Sequence, residues 1–248
     1  MERLSVVIIS KNEAPVIPAC LDSVTGLADE VVVIDSGSTD GTGAICFARG
    51  ARVIESDWLG FGPQKNRAVL AAANDWVLCL DADERVSAEL LVSIKKGLVD
   101  PKYSAYRFAR RNRFLGRYLR HGEGYPDWSL RLFDRRVAHW SLDAVHEKVI
   151  CAAPVGDLAG DLLHDSAETL DRYLAKQNQY TSLAAQNYTG KPVSAVRLVF
   201  SPLIRFIKFY IVRGGFRDGV PGLIHIAIGC FNSFVKYAKI YERQRQGQ

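Results

Sequence analysis

The sequence predicts an α/β fold: a largely parallel sheet with helices on both faces. Three observations carry that expectation. The runs "LSVVIIS", "EVVVID" and "DWVLCL" are continuously apolar rather than alternating, as strands covered on both sides require. Helix-forming segments separate them, the arrangement that connects parallel strands. Each run also ends in a polar cluster: Ser10-Lys11-Asn12-Glu13, Asp35-Ser36-Gly37-Ser38-Thr39-Asp40 and Asp81-Ala82-Asp83-Glu84. In open α/β sheets, ligands bind beyond the carboxyl ends of the strands.

Taken in order, Leu4–Ser10 is a β-branched strand. Asn12-Glu13 with Pro15 opens a helix through about Val24. Glu30 to Ile34 is a second strand, and Gly41 to Arg49 a helix stopped by Gly50. "ARVIES" is a third strand and Pro63 to Ala73 an Ala-rich helix. "DWVLCL" is the fourth strand, followed by a helix capped by Ser87 with Glu89 in its first turn. After Pro101 the pattern changes, with seven Lys/Arg and no acid from Lys102 to Arg120. Short strands are expected at Trp128 to Phe133, Val145 to Cys151 and Asp157 to Leu163, then a long helix from Glu168 to Asn187. Pro192 to Gln246 is apolar and basic, with Pro and Gly breaks.

A hydrophobic share of 48% with 24% charged residues supplies a real core and excludes a disordered chain. Five widely spaced cysteines without a CxxC pair argue against a zinc site and against a disulfide scaffold, so a reducing compartment is expected. The apolar run in "MERLSVVIIS" is too short for a signal peptide, which points to the cytoplasm. Net charge is +5, yet the segment from Lys191 onward holds ten Lys/Arg against two acids, a balance of +8, which leaves −3 for the rest. The longest apolar stretches of this tail are broken by Arg197, Arg205, Lys208, Arg213 and Asn232, which disfavours a transmembrane span and suits a helix lying in a lipid headgroup layer.

The chemistry concentrates at the strand tips. Asp81-x-Asp83 has the form in which Mg²⁺ or Mn²⁺ is held, by one or two carboxylates with water and substrate phosphates completing the shell. A solvated turn gives the same letters, but a strand tip favours the metal. Strand alternation aims Asp81 and Asp83 to one side and Glu84 away, towards Arg85 or a structural pair. Asp35 is placed to accept hydrogen bonds from a ribose or a base edge, while Ser38 or Asp40 caps the next helix. Neither a G-x-G-x-x-G fingerprint nor a Walker lysine motif occurs.

"SVVIISKNEA", "VVVIDSGSTDGT", "QKNRA" and "WVLCLDADERV", in that order, resemble family 2 glycosyltransferases with the Rossmann-like GT-A fold for nucleotide-diphospho-sugars. The tail "YIVRGGFRDGVPGL…FVKYAKIYE" is similar to that of the bacterial lipopolysaccharide inner-core β-1,4-glucosyltransferases, which act on UDP-glucose and a heptose. The resemblance implies a catalytic domain over 1–165, with a nucleotide-sugar half (1–100) and an acceptor half (101–165), and a helical, membrane-associating extension over 166–248. It implies that Glu13 and Asp35 contact uridine and ribose, that Lys65 and Arg67 approach the base or phosphates, that Asp81 touches ribose or sugar, and that Asp83 binds Mg²⁺ or Mn²⁺. His164 is a candidate third ligand. An inverting transfer needs a base on the acceptor side; Glu147, beside His146, is favoured and Asp127 stands second. Arg131 and Arg135 are either phosphate partners or surface charges. The implied partners are a UDP-sugar, a lipid-linked heptose-containing acceptor and the cytoplasmic face of the inner membrane, with no nucleic acid.

The rival expectations are a same-fold transferase with another donor or with a protein or polyprenyl acceptor, a nucleotidyltransferase, and a non-catalytic basic module that binds membrane or RNA. The nucleotidyltransferase is disfavoured because "ISKNEAP" lacks glycine. A glycosidase also uses two carboxylates, but it has no use for a metal motif or for the Asp35 cluster.

Overall fold

The computed structural model describes residues 1–143, 147–165 and 169–246. The chain begins with β1 (Leu4–Ser10), α1 (Ile17–Ser23), β2 (Glu30–Asp35), α2 (Thr42–Ala48), β3 (Arg52–Glu55), α3 (Phe61–Ala71) and β4 (Trp76–Asp81). Next come β5 (Glu84–Val86), α4 (Ala88–Gly97), β6 (Ala105–Phe114), β7 (Arg117–Tyr118), β8 (Asp127–Asp134), β9 (Ala138–Trp140), β10 (Val149–Cys151) and β11 (Val155–His164). The C-terminal part contains α5 (Leu170–Gln186), α6 (Ala195–Phe206), a π-helical segment Ile207–Val212, a 3₁₀ turn Gly215–Asp218 and α7 (Gly219–Arg245). Two compact units result, Met1–Arg110 with Asp127–Asp165, and 111–126 with the chain beyond Asp165.

In the first unit the sheet order is β3-β2-β1-β4-β8-β6-β11-β5. The strands from β3 to β4 are parallel. β8 runs antiparallel to both β4 and β6, and β11 antiparallel to β5. The parallel half therefore matches the sequence expectation, and an antiparallel half is added to it. Alternation along β1 sends Leu4, Val6 and Ile8 into one core with α1 and α4, and Val7 and Ile9 into another with α3 and Trp140. Both faces are thus dry, which is why β1 reads as an unbroken apolar run.

Some boundaries move for local reasons. α1 starts at Ile17, with Pro18 in its first turn, because Asn12 takes a left-handed φ of 57° and its side chain accepts the Thr39 N–H at 2.8 Å. The expected strand from Val145 appears as β10 from Val149; residues 144–146 lie outside the described residues, as does Glu168 at the expected start of α5. Ser87 caps α4 as expected, accepting the Leu90 N–H at 3.2 Å. All five cysteines are free.

In the second unit, α5 and α6 pack on α7. Segment 111–126 belongs with these helices, whereas the sequence places it inside 1–165. The reason is Asp218, 1% exposed, whose carboxylate accepts the Arg120 N–H at 2.9 Å and the His121 N–H at 2.8 Å. Arg205 of α6 also pairs with Glu123. Gly215–Arg245 is long and apolar enough to cross a membrane by length and composition, a test that the core helix of a soluble protein also passes.

Candidate active site

The carboxyl ends of the parallel strands lie side by side: Ser10 is in register with Asp35, and Ile9 with Asp81. Two neighbouring loops are clasped at this edge. Asp35 is buried and accepts the Ser10 hydroxyl at 3.0 Å, the Ser38 N–H at 2.7 Å and the Ser38 hydroxyl at 2.6 Å. Asp40 accepts the Ala14 N–H at 3.0 Å and the Thr42 hydroxyl at 2.5 Å, and Thr42 in turn accepts the Glu13 N–H at 2.9 Å. The Glu13 carboxyl is thereby held near Asp83, Asp40 and Asp81. Burial, and then those charges, push it above the usual carboxylate range.

The "QKNRA" segment of α3 joins three parts of the fold through consecutive side chains. Gln64 donates to the Ser36 hydroxyl at 3.1 Å. Asn66 grips the Trp140 backbone from both sides, donating to its carbonyl at 2.8 Å and accepting its N–H at 2.9 Å. Between them, the buried Lys65 ammonium lies 3.0 Å from Asp81 Oδ1, 3.0 Å from Glu147 Oε1 and 4.6 Å from the centre of the Trp140 ring. The approach of α3 to this wall needs Gly62, since a Cβ there would lie 2.2 Å from the Ser141 carbonyl oxygen. Arg67 is exposed. Two residues along a helix is a turn of about 200°, so it points away from the Lys65 face.

β8 brings the second cation. Arg131 is 4% exposed, donates to Asp81 Oδ2 at 2.8 Å and to Glu84 Oε1 at 3.1 Å, and lies over Trp140 at 5.2 Å. It is therefore a buried bridging charge and not a surface charge. Burial opposes ionisation of Asp81, but Arg131 and Lys65 hold its carboxyl well below the usual range. Glu84, wholly buried, also accepts the Asp81 N–H at 2.9 Å. Burial and the Asp81 charge push its carboxyl up against the pull of Arg131 and Arg110. Glu84 is thus the structural member expected of the three acids, but its partner is Arg131; Arg85 pairs instead with Asp165. Arg135 donates to the Val69 carbonyl at 3.2 Å and the Ala72 carbonyl at 2.5 Å, which assigns it to the end of α3.

The strand ends at Asp81, and Ala82-Asp83 form a turn into β5, so simple alternation does not extend to Asp83. Antiparallel pairing sets His164 of β11 opposite Glu84, and His164 Nε2 lies 3.1 Å from Asp83 Oδ2. Burial disfavours the imidazolium, but Asp83 more than offsets it and the pKa is raised. No group of three or more His, Cys, Asp or Glu arranged for a metal occurs among the described residues. An Asp–His pair nevertheless fits a Mg²⁺ or Mn²⁺ that takes most of its shell from water and phosphate. Asp127 is bound through Oδ2 to Arg110, at 2.9 and 2.7 Å. His146 lies outside the described residues.

Lys65, Asp81 and Glu147 thus form one cluster and Asp83 with His164 a pair just past the same strand tip, Glu13 and Asp35 stand on adjacent loops, and Arg67 stands apart. The sequence reading missed Arg110 and Trp140, and left Arg131 open. The run "WSLRLFD" held a signal, since alternation sets Arg131 on the same face as buried Phe133.

The model of the family described as "Glycosyl transferase family 2" matches residues 5–154. The lipopolysaccharide core biosynthesis glycosyltransferase LpsC of Rhizobium meliloti is 32% identical over 250 residues, 97% of this chain and 92% of LpsC. An uncharacterized glycosyltransferase of Rickettsia felis is 32% identical over 98% of this chain and 90% of its own length. The structure of S. aureus TarS 1-349 in complex with UDP-GlcNAc shares the fold, with a TM-score of 0.51 and 16% identity over 99% of this chain and 92% of that one. With the family model matched over more than half its length and full-length relatives above 30% identity, the chain belongs to glycosyl transferase family 2 and is a glycosyltransferase of the GT-A fold.

Proposed function

We propose that the protein transfers glucose from UDP-glucose, with inversion, to a heptose of a lipid-linked lipopolysaccharide inner core, working peripherally at the cytoplasmic face of the inner membrane. The observation that carries the reading is the Lys65 ammonium, held 3.0 Å from both Asp81 and Glu147 at the strand tip that leads into Asp83 and its partner His164. The name of LpsC supports the lipopolysaccharide core as acceptor, and the basic, apolar tail supports the membrane.

Glu13 and Asp35 would bind uridine and ribose, Asp81 the ribose or sugar, and Lys65 the diphosphate, with Arg67 reaching it only from the outer side of α3. Asp83 and His164 would hold Mg²⁺ or Mn²⁺, whose charge stabilises a departing diphosphate when bound. Lys65 and Arg131 keep Asp81 ionised. Glu147, ion-paired with Lys65, takes the proton of the acceptor hydroxyl as that oxygen attacks the anomeric carbon from the face opposite the phosphate. The C–O bond to phosphate breaks, and UDP leaves with the bonding electrons. Asp127 is the second candidate base, but it is already engaged by two nitrogens of Arg110.

The test compares Glu147→Gln with Asp127→Asn. Glu147→Gln is expected to retain UDP-glucose binding by calorimetry while kcat falls about 10²–10⁴-fold, with Asp127→Asn much less affected. The reverse order would move the base to Asp127.

A further inference from the structure

α6 and the π-helical segment after it contain no buried residue. Val196, Phe200 and Ile204 are spaced by four along α6 and are 64%, 51% and 61% exposed. They form one wall of an open groove of about 410 Å³, within the range of roughly 300–1,000 Å³ usual for small-molecule sites. The other wall is polar, made by Arg197, Ser201 and Tyr237.

Arg197 is the distinctive group. Its nitrogens donate to two neutral oxygens, the Tyr188 hydroxyl at 3.1 Å and the Tyr237 hydroxyl at 3.2 Å, and its guanidinium lies over the Tyr237 ring at 4.7 Å. No carboxylate faces it among the described residues, whereas Arg205, two turns along the same helix, is paired with Glu123. Lys236 adds a second positive charge at Tyr237, 4.4 Å from its ring centre. An uncompensated, oriented cation beside an exposed apolar wall is complementary to an amphiphile with an anionic head. A soluble anion would leave the wall wet, and a neutral apolar partner would leave the charge unanswered.

We propose that this groove binds an anionic phospholipid of the bilayer, with its phosphate on Arg197 and its chain along Val196, Phe200 and Ile204, so that α6 lies in the headgroup layer. The inference deepens the membrane reading but needs neither donor nor acceptor, so it stands or falls separately from the catalytic proposal.

The test is co-sedimentation of the full chain with vesicles of phosphatidylcholine alone and of equal parts phosphatidylcholine and phosphatidylglycerol, without nucleotide sugar. The wild type is expected to prefer the anionic vesicles. Arg197→Gln should weaken that binding about fivefold, the share of one basic residue at an anionic surface, with little change on phosphatidylcholine. Phe200→Ser with Ile204→Ser should weaken binding to both vesicle types about tenfold or more. Unchanged circular dichroism and melting temperature of these exposed-site variants would exclude misfolding, and Val220→Ser, at an exposed position of α7, serves as the control. Equal wild-type binding to both vesicles, or full binding by the Phe200/Ile204 variant, would overturn the proposal. So would a wild-type dimer in solution that this variant dissociates, since a second copy would then cover the groove.

Discussion

Arg131 illustrates how one residue sets the character of the site. A guanidinium excluded from water must be paired, and Asp81 and Glu84 pair it on two sides of one strand tip. Removing it leaves the buried Glu84 without its nearest cation and Asp81 with Lys65 alone. Arg131→Met is therefore expected to destabilise the fold by about 3–5 kcal/mol, and Arg131→Met with Glu84→Met by clearly less than the sum of the single losses. Urea unfolding measures both. A single-variant loss within about 0.5 kcal/mol, the usual scale for surface changes, would show that the cluster is more hydrated than its geometry implies. Lysine is not a neutral replacement, because Arg131 bonds both carboxylates through Nη2 while its Nε donates to Ser129, and a single ammonium lacks that planar set of donors.

Among the elements, Glu30 at the start of β2 joins the first three strands. Its carboxylate accepts the Ser5 hydroxyl at 2.7 Å, the Ala73 N–H at 2.8 Å and Arg52 at 2.8 Å. Burial opposes its charge, but these bonds win and its pKa is lowered. A carboxyl with a lower pKa when folded binds fewer protons folded than unfolded. Its stabilisation is thus complete above the unfolded value, about 4.3, and is lost as pH falls through the folded one. Glu30→Gln is expected to cost about 1–2 kcal/mol at neutral pH and to flatten the rise of stability between acid and neutral pH. An unchanged slope would assign that rise elsewhere. The parallel strands were legible because burial on both faces writes itself as continuous Val, Ile and Leu. β6 was not, because outward Arg107 and inward-edge Arg110 interrupt its apolar residues, with a register shift at Tyr106/Arg107. β5 was hidden because its three residues, Glu84-Arg85-Val86, include two charges that are satisfied only across the fold. The same holds at the site. Tip carboxylates announce themselves by position, but the pairing of Glu84 with Arg131, 47 residues away, exists only after β8 lies beside β4.

At the scale of the whole molecule, charge is divided between two tasks. The residues before Lys191 carry a net −3 and those from Lys191 onward +8. Asp81 and Glu84 at the tip of β4 and start of β5 surround the buried cations Lys65 and Arg131, which suits a site for a metal and a diphosphate. The basic excess lies on amphipathic helices, which suits an anionic surface. We propose that this family 2 glycosyltransferase uses a divalent cation at Asp83 and His164 to transfer a hexose from UDP. The most direct test follows UDP release from UDP-glucose in the presence of heptose-containing lipid A core, first with Mn²⁺, then with excess EDTA, then with Mn²⁺ restored. The expected result is transfer with the cation, loss on chelation, recovery on restoration, and no transfer by Asp83→Asn under any of the three conditions. Transfer that persists in EDTA, or full activity in Asp83→Asn, would contradict it.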